Sequence, residues 1–136
     1  MKAVAIVLCI LALAQAGGML GVGQNCDTTL TAYTVTSFNV TPWPPYKNTN
    51  MSMTMIGTMN SSQTLKSMNI YTYYKGSLLD VETVAESGTY TAGQTATINF
   101  KVYLPSIAPS GSYTVDVKLV NTSGVFLNCW QVSFTL

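Results

Sequence analysis

The 136-residue sequence carries six cations, all lysines, against five acids, and it contains no histidine. Without arginine or a basic stripe it lacks what a nucleic-acid binder needs to displace counterions, or a protein held tightly on anionic membranes by charge. Without histidine the commonest general base is missing, and with it any Ser-His-Asp or Cys-His arrangement.

The chain opens "MKAVAIVLCILALAQAGG", which has the three parts of a secretory signal peptide. Lys2 supplies the positive start, Ala3 to Leu13 an apolar run too short to span a bilayer, and Ala14-Gln15-Ala16 a small-x-small cleavage site. We expect residues 1–16 to be removed, Cys9 among them, and residues 17–136 to form one domain. The remaining lysines and acids then balance. Entry into the secretory pathway makes the surroundings oxidising, so Cys26 and Cys129, the two cysteines left, are expected to form a disulfide. Two separate free thiols are the alternative. A zinc site is not expected from two cysteines without histidine, and no cofactor is implied. Four sequons are candidate glycosylation sites, at Asn39, Asn50, Asn60 and Asn121.

No long amphipathic helix is written in the sequence. Period-two runs alternate with clusters of Pro, Gly, Asn and Ser. The first predicted strand runs from Leu30 to Val40, with its inward parity changing between Val35 and Phe38, as at a bulge. "TPWPPYKN" follows, where Pro42, Pro44 and Pro45 exclude a central strand and favour a stiff extended corner. In "NMSMTMIGTM", Met51, Met53, Met55 and Met59 share one face. "LKSMNIYTYY" aligns Met68, Ile70, Thr72 and Tyr74, and "SLLDVETV" forms a short run. "TATINFKVYLP" turns Ala96, Ile98, Phe100, Val102 and Leu104 inward and Thr97, Asn99 and Lys101 outward. "GSYTVDVKLVN" turns Tyr113, Val115, Val117 and Leu119 inward, and a last strand spans Phe126 to Thr135. Seven or so short strands in a chain of this length predict an all-β, immunoglobulin-like sandwich of two antiparallel sheets.

Two features have both a chemical and a plain reading. Asp80 and Glu82, two residues apart, would suit a glycosidase pair; two acids at that spacing on a strand are otherwise a solvated face, and we expect no catalytic residue and no enzyme. The methionine stripe fits a filled core equally well as a pliant cavity wall, since methionine adapts to irregular apolar shapes.

The stretch "SFNVTPWPPYKNTNMSMTMIGTM", followed by "YTAGQTATINFKVYLPSIAPSGSYTVDVKLVNTSGVFLNCWQVSFTL", resembles the ML domain. This is the secreted lipid-recognition family of the Niemann–Pick type C sterol-transfer protein, fungal phosphatidylglycerol/phosphatidylinositol transfer proteins and group-two mite allergens. The resemblance runs from Cys26 to Leu136. It implies an apolar cavity between the sheets, and a cysteine near the mature N-terminus bridged to one in the last strand, which Cys26 and Cys129 match. Many members also pin the loop between their fourth and fifth strands with a disulfide; "DVETVAESGTYTAGQ" here has no cysteine.

On this resemblance the expected function is non-catalytic binding of a single lipid, sterol or phospholipid, with intermembrane transfer and transient membrane contact as extensions. The expected compartment is outside the cell or a lysosomal or vacuolar lumen. The expected lipid lining is Met53, Met55, Ile70, Leu79, Val81, Ile98, Phe100, Val102, Tyr113, Val115 and Val117, with the Tyr113 hydroxyl available to a headgroup. The alternative is a structural or adhesive extracellular module with a filled core and no ligand.

Overall fold

The computed structural model describes residues 21–136, so the signal-peptide expectation and Cys9 lie outside the described residues. Nine strands follow in order: β1 (Gln24–Asn25), β2 (Tyr33–Thr41), β3 (Thr49–Met59), β4 (Gln63–Tyr74), β5 (Ser77–Ala85), β6 (Thr89–Tyr90), β7 (Thr95–Leu104), β8 (Ser112–Asn121) and β9 (Trp130–Thr135). One sheet has the order β1-β9-β8-β4-β5, with the short β6 also paired to β4; the other has the order β2-β3-β7. All strand pairings are antiparallel. The all-β, immunoglobulin-like sandwich expected from the sequence is the fold.

Alternation dictates the packing. Along β7 every second residue from Ala96 to Leu104 is buried and the intervening ones are exposed. In β3 the stripe of Met51, Met53, Met55 and Met59 is wholly buried. Gly57 interrupts it because the Tyr33 ring crosses there: a Cβ at Gly57 would stand 2.5 Å from Tyr33 Cζ. The Tyr33 hydroxyl donates to the Ala96 carbonyl at 2.9 Å, which satisfies the one polar atom of a buried ring. In β2 the register shifts between Val35 and Ser37, where the sequence changes parity. The proline corner, residues 42–48, contains no strand.

The last strand starts at Trp130, later than the sequence suggests. Phe126 makes only an isolated bridge to Val120, and the intervening backbone bonds to more than one neighbour: the Leu127 amide donates to the Leu119 carbonyl at 2.8 Å, while the Leu127 and Cys129 carbonyls accept from the Tyr33 and Cys26 amides. The buried Asn128 accepts from the Leu119 amide at 2.9 Å, taking the place of a strand partner. Trp130 stacks on Phe38 at 5.8 Å and donates its indole N–H to the Val22 carbonyl at 2.9 Å. Cys26 and Cys129 are bridged, with Cα atoms 5.1 Å apart across 103 residues of sequence. A loop of that length is worth about 4–5 kcal/mol in the chain-entropy model.

The two sheets differ in width. β5 lies at the edge of the wider sheet, and all of its residues except the half-buried Val84 are exposed. Its hairpin with β4 turns through Lys75 (φ 48°) and Gly76 (φ 82°). Positive φ at both central residues is the geometry that continues the strand twist through a two-residue turn.

Candidate functional site

A cavity of about 410 Å3 opens between the two sheets where the edges β5 and β7 approach each other. The wider sheet contributes Thr72 of β4, Leu79 and Asp80 of β5, and Tyr113 of β8. The smaller sheet contributes Val102, Tyr103 and Leu104 at the end of β7. The β7–β8 loop closes one side with Pro105, Ile107, Ala108 and Pro109. Most of these side chains are apolar, and Asp80 is the single charged group on the wall.

The loop is held firmly. A turn brings the Ala108 amide to the Pro105 carbonyl at 3.1 Å. The Tyr113 hydroxyl donates to the Pro109 carbonyl at 2.6 Å and the Tyr74 hydroxyl to the Ser110 carbonyl at 2.9 Å. Lys47 Nζ reaches Ser110 Oγ at 2.9 Å, and Gly111 exchanges two backbone bonds with Leu136. Tyr113 itself lies between Tyr74 and Phe134, ring centroids at 5.0 and 5.7 Å. Burial, with Tyr74 beside it, raises the Tyr113 pKa. Its hydroxyl proton is committed to Pro109, so toward a ligand it offers only an acceptor lone pair.

Of the expected lining, Leu79, Val102 and Tyr113 stand on this cavity. Met53, Met55, Ile70, Ile98, Phe100, Val115 and Val117 lie deeper, in one contiguous cluster of buried apolar side chains. Val81 departs from the expected inward direction. The β4–β5 register shifts between Thr72 and Tyr73, so that Thr72 faces Asp80 while Tyr73 faces Leu78, and Leu79 is the extra residue of the bulge. Beyond it the parity is reversed. Val81 pairs with Tyr71 on the outer face and is 48% exposed, whereas Asp80 and Glu82 pair with Thr72 and Ile70 on the inner face. Those two carboxylates stay exposed because the narrower sheet does not reach over them.

The sequence reading missed Thr72, Asp80, Tyr103, Leu104 and the 105–109 loop as wall residues. "LPSIAPSG" carried the one signal, an isoleucine between two prolines in a loop. Among the candidate glycosylation sites, Asn39, Asn50 and Asn60 are exposed and Asn121 is half-buried. The Asn60 amide already donates to the Thr31 carbonyl and Thr34 Oγ1, each at 2.7 Å. Asn121 Oδ1 caps the Ser123 and Val125 amides. One metal-like grouping occurs among the described residues, Cys26, Asp116 and Cys129, and its two sulfurs are bonded to each other. No helix among the described residues is long and apolar enough to cross a membrane.

The ML domain model matches residues 22–136, and the chain belongs to that family. Solved structures agree on the fold. The Niemann-Pick type C2 protein of the Japanese carpenter ant superposes with a TM-score of 0.68 at 7% identity, covering 84% of this chain and 98% of the ant protein. Chicken MD-1, solved in complex with lipid IVa, superposes with a TM-score of 0.57 at 13% identity, covering 82% of this chain and 86% of MD-1. The C-terminal domain of wzt superposes with a TM-score of 0.64 at 14% identity, over 83% and 74% of the two chains. No curated protein sequence matches the chain.

Proposed function

We propose that this protein binds one lipid, sterol or phospholipid, without chemical change, taking its apolar part into the mouth between β5 and β7. The observation that carries the reading is the cavity itself, about 410 Å3 with a mostly apolar wall built from both sheets. That size falls within the range of small-molecule sites, about 300–1,000 Å3. Membership of the ML family and the likeness to MD-1, a protein seen with lipid IVa, support it. Met53 and Met55 belong to the buried apolar cluster that Val102 shares, and unbranched side chains of this kind can rearrange around an entering chain. Apolar burial drives binding, at about 25 cal/mol per Å2 removed from water before association costs. Intermembrane transfer and residence in the secretory pathway belong to the same proposal.

The filled-core module is the second reading, favoured by the close clustering of the deeper inner-face residues. Probe binding separates the two. Purified protein should quench or shift a fluorescent sterol or acyl-chain probe, Val102→Phe should lose most of that binding by filling the mouth, and Thr97→Phe, outward on the same strand, should keep it. A parent protein that binds neither probe would establish the filled-core module.

A further inference from the structure

A second concavity lies away from the mouth, where β1 and β9 meet the proline corner. It has a volume of about 290 Å3 and is lined by Val22, Gly23, Gln24, Trp43, Gln131 and Ser133. Gln24 and Gln131 are direct antiparallel partners, so their side chains leave the sheet on one face. Ser133, two residues further along β9, shares that face. Gly23 lets the chain lie this close to β9: it sits at φ 93°, and a Cβ there would collide with the Gln131 carbonyl oxygen.

Trp43 forms the other side of the groove. Prolines at 42, 44 and 45 stiffen the backbone around it, and Pro45 is buried. The indole meets the Phe134 ring at 84°, with centroids 6.4 Å apart. In such a perpendicular contact Phe134 covers at most one indole face, and Trp43 is 40% exposed. Trp130, the other tryptophan, is buried.

We propose that this groove binds a neutral sugar ring, one pyranose unit of a glycan, with its C–H face against Trp43 and its hydroxyls on Gln24, Gln131 and Ser133. The wall chemistry selects this class of ligand. No charged side chain lines the groove, and Asp116, which accepts from Gln131 Nε2 at 2.9 Å, brings a carboxylate up behind it that disfavours an anion. The face of an indole carries the negative end of a quadrupole, which suits the weakly positive C–H groups of a pyranose. The amides and the hydroxyl around it match the mixed donor and acceptor demands of sugar hydroxyls. Gln131, with Nε2 engaged by Asp116, offers Oε1 as an acceptor, while Gln24 and Ser133 both give and accept. An aliphatic chain in the same place would strip water from these groups without replacing its hydrogen bonds. The groove shares no lining residue with the mouth between β5 and β7, so the inference does not rest on the lipid-binding reading.

The test is calorimetric titration of the purified protein with the methyl glycosides and linear trisaccharides of glucose, mannose, galactose and N-acetylglucosamine, with tryptophan emission followed in parallel. Trp130 is buried, so a change in emission reports Trp43. At least one of these sugars should bind with a Kd of about 1 mM or tighter. Trp43→Ala should weaken that binding about tenfold and Gln24→Ala severalfold. Both variants should keep the parent's affinity for a fluorescent acyl-chain probe. Gln24 is exposed in a two-residue strand, so its variant carries the test even where Trp43→Ala fails to fold. A parent that binds none of the sugars at about 20 mM, or sugar binding that survives both substitutions, overturns the proposal. Tighter binding of a sialylated trisaccharide than of its neutral counterpart overturns the neutral class. Sugar binding that depends on Trp43 in a protein that binds no acyl-chain probe keeps the groove and removes the cargo reading.

Discussion

Single residues carry the polar commitments of an otherwise apolar interior. Asn128 lies buried just ahead of β9 and accepts from the Leu119 amide, and no period in "FLNCW" marks it as buried. A period-two pattern shows direction, and a polar residue inside it reads as outward. Glu86 is a different case: it lies just past β5, half-buried, and burial raises its carboxyl above the ordinary value of 4.5. The fold thus favours its protonated form. That contribution is fully present below the unfolded value and is lost as pH rises through the folded one. At neutral pH the charge is a burden. Glu86→Gln should therefore melt higher than the parent at pH 7, and the difference should vanish near pH 4, where both side chains are neutral. Thermal melts at the two values check this; an equal gain at both, or a loss at pH 7, would refute it.

At the level of strands, legibility tracked regularity. β7 alternates throughout and β8 from Ser112 to Leu119, and every inward residue read from them is buried. β5 has a bulge, and one extra residue reverses every side chain beyond it, so Val81 turned outward while Asp80 and Glu82 took the inner face. A bulged, acid-bearing edge also guards β5 against pairing with another chain. Alternation cannot report depth either. Val102 and Val117 look alike in sequence, yet Val102 lines the mouth and Val117 lies between Ile70 and Trp130 in the register of the buried sheet. A phenylalanine at Val102 grows into the cavity, whereas at Val117 it overpacks, at a cost of about 1–3 kcal/mol. Val102→Phe should keep the parent melting temperature or exceed it, and Val117→Phe should melt lower. Equal losses in both would mean that the mouth is no cavity in solution.

The molecule as a whole follows from an imbalance between its sheets. The wider sheet projects β5 past the cover of the three-stranded one, and the β7–β8 loop closes the gap only partly, leaving a mouth with an apolar wall. The sandwich, its seven longer strands and the bridge across the chain were legible because strand alternation and two cysteines suffice for them. The mouth was not, because it depends on overhang, on a bulge and on a loop with no period of its own. The disulfide closes the opposite requirement, holding the β1 end to the start of β9 while the β5–β7 side stays open. The central claim is that a lipid occupies that opening. It is tested most directly by extracting protein purified from a secreting host with organic solvent and quantifying the extract by mass spectrometry. The account predicts one lipid per protein, reduced severalfold in Val102→Phe, whose added ring takes its place; an extract with no lipid above the level of an unrelated secreted sandwich would contradict it.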